Sequence, residues 1–270
     1  MLTFPNGKIN LGLYITNRRE DGYHDLETVF YPIALKDALE IVKGAEQTNL
    51  FVSGKAVAGS KEENIVWKAY ELLRQQFPHK IPILDIYLNK GIPMGAGLGG
   101  GSADGAFMLK LLNDFCGLKL SQQQLAARAL ELGSDCPFFI YNTPQFATGR
   151  GEVMQPVAID LSDYAIQLVC PAVHISTAKA FRMLSPKPAS FDLKMLPTIA
   201  VKDWKHQVSN DFEEPIFNLH PALKDVKQQL YNQGALYASL SGSGSTIFGI
   251  FPKGQKAAIQ TDFLFEEYIL

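Results

Sequence analysis

Between Pro93 and Ala106 the chain reads "PMGAGLGGGSADGA", with five glycines among the seven residues from Gly95 to Gly101. Ordering so many glycines is entropically expensive, and a tight turn needs only one or two. The run therefore points to a backbone that must come close to something. Successive main-chain N–H groups in such a loop form a nest for an anion, and a helix opening at Ser102 adds the positive end of its dipole. Phosphate is the ligand whose chemistry matches.

Three phosphate loops and a plain glycine turn compete for this stretch. Gly95 to Gly100 satisfies G-x-G-x-x-G. The dinucleotide fold, however, also wants an acidic residue about 20 positions on, at the end of a second strand. That region, Gly117 to Ser121, reads as a helix end and a turn. The Walker A loop needs a Lys followed by Ser or Thr after its last glycine, and none is present. What remains is a phosphate loop without a lysine of its own. Such a loop must neutralise phosphate with amides, Mg²⁺ and cations from elsewhere, and the Ser102 hydroxyl is a candidate Mg²⁺ ligand.

Other residues carry chemistry only in context. Asp135 stands between Gly133 and the apolar run "CPFFIY", where desolvation would raise its basicity toward that of a general base. By local sequence alone it reads first as a turn or helix cap. Lys8 enters the apolar strand "INLGLYI" and alone reads as a solvated strand end. Tyr23 and His24, Asn64, Lys90 and Phe181 each have an equally ordinary reading as surface, cap or core.

The elements that must position these residues are legible in outline. "KINLGLYI" alternates as a strand, and "YHDLETVFYPIALKDALEIV" reads as extended chain turning at Pro32. "NIVWKAYELLRQQF" has helical spacing with Asn64 as N-cap, and "PILDIYLNK" is a strand entering the glycine loop. The helix after the loop ends at Gly117. Ser121 and Gln124 form a capping box for the next one, with Gly133 at the C′ position. "CPFFIYN" is expected as a strand. Beyond "ATGRGE" come a strand with its exit ("YAIQLVCPAVHI"), a short helix ("TAKAFRML") and a Pro-rich loop. A helix from Pro221 to Gly234 follows, then two strands joined at glycines ("ALYASLSGSGSTIFGIF"). This is an α/β chain of α+β type in two domains, 1–152 and 153–270, with the break near Val153.

The glycine stretch resembles the P-x-x-x-G-L-G-S/G-S-S/A phosphate motif of the GHMP kinase superfamily of small-molecule kinases. "KINLGLYITNRREDGYHDLETVF" is similar to an N-terminal block of that family, and "LGSDCPFFI" and "ATGRGE" to its middle blocks. "SNDFEEPIF" and "SLSGSGSTIFGIF" are similar to its C-terminal blocks, so the resemblance runs from Lys8 to Phe251. It implies a ribosomal S5 domain 2-like N-terminal domain and a ferredoxin-like C-terminal domain. ATP with Mg²⁺ and the acceptor would meet in the cleft between them. The triple glycine and "DGYH" imply, within the family, phosphorylation of the 2-hydroxyl of a cytidine-diphosphate methylerythritol in the non-mevalonate (MEP) isoprenoid route. Alternatives are a homoserine or mevalonate-like acceptor, or a non-catalytic nucleotide sensor.

Residue by residue, the resemblance makes Asp135 the catalytic aspartate and sets Lys8 beside it. It gives ATP the loop residues Pro93, Met94, Gly95, Ala96, Gly97, Leu98, Gly99, Gly100, Gly101, Ser102 and Ala103, with Asn64 and Lys90 near adenine. It gives the acceptor Asn10, a stacking Tyr23, an edge-bonding His24, and Thr177 and Phe181 closing the cytidine pocket. Ala103 departs from the family, which often has a second serine there. Gly105 costs its helix about 1 kcal/mol against Ala, offset if it allows close packing against the glycine hairpin.

Bulk properties agree with a metabolic enzyme. Of 270 residues 47% are apolar and 19% charged, and the net charge of −2 excludes an electrostatic nucleic-acid binder or a polybasic membrane surface. No stretch approaches the roughly 18 apolar residues of a membrane span, and no leader is apparent, so a cytoplasmic monomer or homodimer is expected. Cys116, Cys136 and Cys170 read as buried free thiols, and the five histidines lack ligand spacing.

Overall fold

A computed structural model describes residues 1–44, 46–173 and 175–270. The strands in chain order are β1 (Leu2–Thr3), β2 (Asn6–Arg18), β3 (His24–Lys36), β4 (Ala38–Lys43), β5 (Asn49–Gly54), β6 (Leu84–Lys90), β7 (Gln145–Thr148), β8 (Val153–Pro156), β9 (Tyr164–Pro171), β10 (Tyr237–Leu240), β11 (Ile247–Pro252) and β12 (Phe265–Ile269). The helices are α1 (Ile65–Gln76), α2 (Gly100–Phe115), α3 (Gln122–Leu132), α4 (Cys136–Tyr141), α5 (Thr177–Arg182), α6 (Val201–Trp204), α7 (Glu213–Leu219) and α8 (Pro221–Asn232). They form two compact units that interleave in sequence. One comprises Met1–Lys8, Pro32–Met94 and Gly99–Thr143; the other comprises Ile9–Tyr31, Gly95–Leu98 and Pro144–Leu270.

In the first unit the sheet runs β1-β4-β6-β5, with β5 parallel to β6 and the other pairs antiparallel. In β6, Leu84, Ile86 and Leu88 are buried while Tyr87 and Asn89 are exposed, the alternation of a strand with one face on a core. Helix α1 is capped as its sequence predicts, with Asn64 Oδ1 accepting from the Val66 N–H at 2.9 Å. It buries Val66, Ala69, Tyr70 and Leu73. Helix α2 is buried nearly all round and packs on α1, α3 and α4. Gly105 serves that packing, but not against the hairpin. A Cβ there would lie 2.8 Å from Ile65 Cγ1 and 3.4 Å from Leu132 Cδ1, so the missing side chain lets α1 and α3 approach α2. The capping box at Ser121 and Gln124 is present, while Gly133 is the C-cap itself, in an extended conformation.

Two expectations of this region need correction. "CPFFIYN" is not a strand: Cys136–Tyr141 is helix α4, with Pro137 in its first turn and Asn142 left-handed at its end. All of Cys136–Ile140 is buried, so no polar residue marks a period, and a short apolar run cannot separate strand from helix. Nor does the chain turn at Pro32. Strand β3 runs on to Lys36 and the turn falls at Asp37. Pairing of β3 with β7 ends at Phe30, so the missing N–H of Pro32 breaks no ladder bond on that side.

The second unit holds an antiparallel sheet in the order β10-β11-β9-β12. Its core joins Val169, Phe212, Ile216, Leu223, Val226, Leu230, Leu240, Ile247 and Phe251, so α7 and α8 cover this sheet. Pro221 opens α8 as expected. The exit of β9 includes His174, which lies outside the described residues. The ribbon of β2 and β3 continues into β7 and β8. Cys136 and Cys170 are buried as expected, Cys116 is only half-buried, and none of the three is in a disulfide.

Candidate active site

The glycine loop joins β6 to α2, and its glycines are needed for different reasons. Gly95, Gly97 and Gly99 have φ of +66°, +80° and +71°, the left-handed region that side chains disfavour. At Gly97 a Cβ would lie 2.0 Å from the Ser241 carbonyl oxygen, and at Gly100 2.9 Å from Ile92. At Gly101 a Cβ would meet nothing within 4 Å. Packing of the chain therefore does not require glycine there, and the open space fits an approaching ligand. Helix α2 begins at Gly100, and Gly99 offers no side-chain cap. The N–H groups of Gly100, Gly101 and Ser102 have no intrahelical acceptor, and the dipole of a 16-residue helix stands behind them. Ala96, Leu98 and Ala103 bury their side chains and so anchor the loop, while Met94 and Gly95 are exposed and Pro93 half-buried. Ser102 is the third helical residue rather than the first. Burial pushes the nearby Cys136 thiol up to about 12, with Ser102 opposing the rise.

Lys8 and Asp135 are brought together. Lys8 is buried on β2, and its Nζ lies 3.6 Å from Asp135 Oδ2. Burial lowers the Lys8 pKa, and the Asp135 carboxylate opposes that shift. Asp135 is the N-cap residue of α4 but makes no side-chain capping bond, so its carboxylate is not spent on the helix; it is 36% exposed. The stem of Lys8 runs against the loop: a Cβ on Gly99 would lie 3.1 Å from Lys8 Cγ and 3.2 Å from Lys8 Cε. Glycine at 99 thus lets Lys8 pass beside the end of the glycine loop and reach Asp135.

Lys90 is placed differently from a ligand-facing cation. It is fully buried, with Nζ bonded to Asp37 and, at 2.6 Å, to Asp104 Oδ2. Asp37 Oδ1 also accepts from the N–H groups of Gly91 (2.6 Å) and Ile92 (2.8 Å). The trio therefore pins the strand end from which the loop departs to the first turns of α2. Burial pushes the Asp104 carboxyl up to about 8, with Lys90 opposing and Asp37 adding to the rise. Sequence reasoning missed both carboxylates. The one available signal was an acid at 104 among the small and apolar residues of the first half of α2.

The acceptor candidates lie in the second unit. Asn10 is buried and donates from Nδ2 to Thr28 Oγ1 at 2.9 Å. Tyr23 is 56% exposed, and the Arg150 guanidinium covers its ring at 5.0 Å. His24 stacks on Phe181 with ring centroids 5.1 Å apart and 21° between planes, and Phe181 meets Phe212 edge-on. Thr177 Oγ1 lies 3.2 Å from Ser243 Oγ in the turn between β10 and β11. Arg150, in "ATGRGE", was not singled out from sequence. That same turn touches the glycine loop: Ser241 Oγ donates to the Gly97 carbonyl at 2.9 Å, and the Thr246 N–H to that of Ala96 at 3.2 Å.

Comparison with known proteins identifies the family to which this arrangement belongs. The model of the GHMP kinases N terminal domain matches residues 64–143, and that of the GHMP kinases C terminal domain matches 192–269. The 4-diphosphocytidyl-2-C-methyl-D-erythritol kinase of Parabacteroides distasonis is 50% identical over 253 residues, 94% of this chain and 92% of that one. The enzyme of the same name from Azobacteroides pseudotrichonymphae is 47% identical over 273 residues, all of both chains. A crystal structure of 4-(cytidine 5'-diphospho)-2C-methyl-D-erythritol kinase superposes with a TM-score of 0.77 at 31% identity, covering 93% of this chain and 90% of that one. Homoserine kinase from Cytophaga hutchinsonii, at 16% identity and a TM-score of 0.69 over 98% and 93% of the two chains, shares the fold. With both of its domain models matched and near full-length relatives at about half identity, the chain belongs to the GHMP kinase family.

Proposed function

We propose that this chain is an ATP-dependent kinase that phosphorylates the 2-hydroxyl of 4-diphosphocytidyl-2-C-methyl-D-erythritol, giving the 2-phosphate and ADP in the MEP route to isoprenoids. The acceptor is supported by the names of near full-length relatives. The observation that carries the chemistry is the Lys8–Asp135 pair beside Gly99.

In this mechanism the γ-phosphoryl group of ATP rests on the amides of the loop and of the α2 N-terminus, from Gly95 to Ser102. Asp135 accepts the proton of the 2-hydroxyl as its oxygen bonds to the γ-phosphorus. The bond from that phosphorus to the β–γ bridging oxygen breaks, and ADP leaves with the electron pair. Lys8 holds the carboxylate in place and offsets charge on the moving group. Among the described residues no cluster of three or more His, Cys, Asp or Glu is set to hold a metal. That suits Mg²⁺, which takes few protein ligands when phosphates supply the rest, and the Ser102 hydroxyl is the candidate protein donor. Bound there, Mg²⁺ supplies charge neutralisation to the phosphates. Asn64 borders the adenine side. Lys90 serves ATP indirectly, by fixing the strand end before the loop. On the acceptor side Tyr23, backed by Arg150, stacks on cytosine, His24 bonds its edge, Thr177 and Phe181 close over it, and Asn10 lines the strand that leads to Lys8.

Purified protein supplied with γ-labelled ATP is expected to label the cytidylyl acceptor and neither homoserine nor mevalonate. Label on homoserine alone would overturn the assignment. Tyr23→Ala should weaken acceptor binding by about 1–3 kcal/mol, the worth of one stacked base, and leave ATP affinity in place. Equal weakening of both in titration calorimetry would remove Tyr23 from the acceptor site.

A further inference from the structure

The block "SNDFEEPIF" takes no part in the mechanism above, yet its side chains anchor the turn between β10 and β11 that touches the glycine loop. Its first residues run beside β2: the Leu13 N–H donates to the Ser209 carbonyl (3.0 Å) and the Asp211 N–H to the Leu13 carbonyl (2.8 Å). Between them Asn210 is buried and uses both ends of its amide. Nδ2 donates to the carbonyls of Leu240 (2.8 Å) and Gly242 (2.9 Å), and Oδ1 accepts from the Phe212 N–H (2.9 Å). Both donors and the acceptor are engaged, so the orientation of the side chain is fixed.

Leu240 and Gly242 flank Ser241. Drawing both of their carbonyls onto one amide fixes the peptide before Ser241 and the peptide after Gly242, and so restrains the short segment that carries the Ser241 hydroxyl. That hydroxyl holds the Gly97 carbonyl, while the Ser241 N–H holds the Thr246 carbonyl (2.9 Å) and the Thr246 N–H holds that of Ala96. Glu213 of the same block steadies the strand end, its Oε1 accepting from Ser239 Oγ and the Leu240 N–H, each at 3.0 Å. The peptides after Ala96 and Gly97 are trans, and in a trans peptide the N–H points opposite the C=O. Fixing these two carbonyls toward the β10–β11 turn therefore directs the N–H groups of Gly97 and Leu98 the other way, away from that turn.

We propose that Asn210 is a positioning residue for the phosphate loop, acting through Ser241 to aim the amides of Gly97 and Leu98. The proposal rests on the assignment of that loop to ATP.

The test compares Asn210→Ala, Ser241→Ala and the double variant by ATP and acceptor affinity in titration calorimetry, and by amide hydrogen exchange of the 95–98 segment without nucleotide. Each single variant should weaken ATP binding by about 3- to 10-fold, the factor for losing a net hydrogen bond or so, with acceptor affinity unchanged. The double variant should be no weaker than Asn210→Ala alone, and exchange at Gly97 and Leu98 should quicken in all three. Unchanged exchange, additive losses, or equal weakening of ATP and acceptor would overturn the relay. Quickened exchange with unchanged ATP affinity would uphold the relay and count instead against the loop as the ATP site. Ser241→Ala removes one hydroxyl and no backbone contact, so it carries the exchange test alone should Asn210→Ala compromise folding.

Discussion

Lys8 and Lys90 sit in the same compact unit, both buried, both facing aspartate, and they are arranged for opposite ends. Lys90 lies between two carboxylates that are themselves buried, with Asp104 at 2.6 Å and Asp37 further tied to two backbone amides. Lys8 faces the Asp135 carboxylate at 3.6 Å, and that carboxylate stands partly in solvent. A buried ion pair gives stability only when its geometry is close and its remaining valences are filled, and the cost of removing one partner is then high. The Lys90 trio meets that description. The Lys8 pair is looser and leaves its carboxylate open to a third party, which is what a reacting hydroxyl requires. Burial of a lysine therefore does not by itself mark a catalytic group. What differs between the two lysines is the exposure of the carboxylate each one faces.

The contrast breaks most visibly at Asp135. Asp135→Asn is expected to cut kcat by about 10²–10⁴-fold, the usual share of a general base, with ATP affinity and melting temperature little altered. Near-normal turnover in the purified variant would remove Asp135 from the base role. Lys90→Met should do the reverse. Leaving two buried carboxylates without their cation should destabilise the fold by about 3–5 kcal/mol in urea denaturation. A loss no larger than that of Lys8→Met would erase the distinction.

A smaller effect concerns Asp104, whose buried neighbours are Lys90 and Asp37. Its carboxyl is raised in the fold to about 8 from an ordinary 3.8, so between those values the folded state holds more protons than the unfolded one. Stability should then fall as pH rises, by of order 1–3 kcal/mol between pH 6 and pH 8. Asp104→Asn should flatten that slope in thermal melts. An unchanged slope would place the titration elsewhere.

How far the sequence foretold these features depended on the range of the interaction. The glycine loop was readable because its work is done by backbone, and backbone work leaves glycine as its trace. The Asn64 cap and the Ser121–Gln124 box were readable because capping partners lie two or three residues apart. Asp37 was not, since its partner is 53 residues away and no local pattern links them. Helix α4 was hidden by complete burial, which erases period. Strand β12 went unseen because Glu266 and Glu267 are both exposed at the sheet edge, so its alternation is interrupted. Lys8 and Asp135 were assigned through family resemblance, since their local sequence favours ordinary roles; the geometry adds the unspent carboxylate and the passage of Lys8 beside Gly99.

The five glycines of the loop answer to different judges. Gly97 is held to glycine by the Ser241 carbonyl, and Gly99 by Phe139 and the stem of Lys8, so a side chain at either offends the polypeptide before any ligand arrives. Gly101 has only empty space above it, on a helix whose backbone any residue can adopt. Randomising position 97 would select for sequences that fold. Randomising position 101 would test the proposed ligand at the first turn of α2, since the polypeptide itself sets no limit on the side chain there.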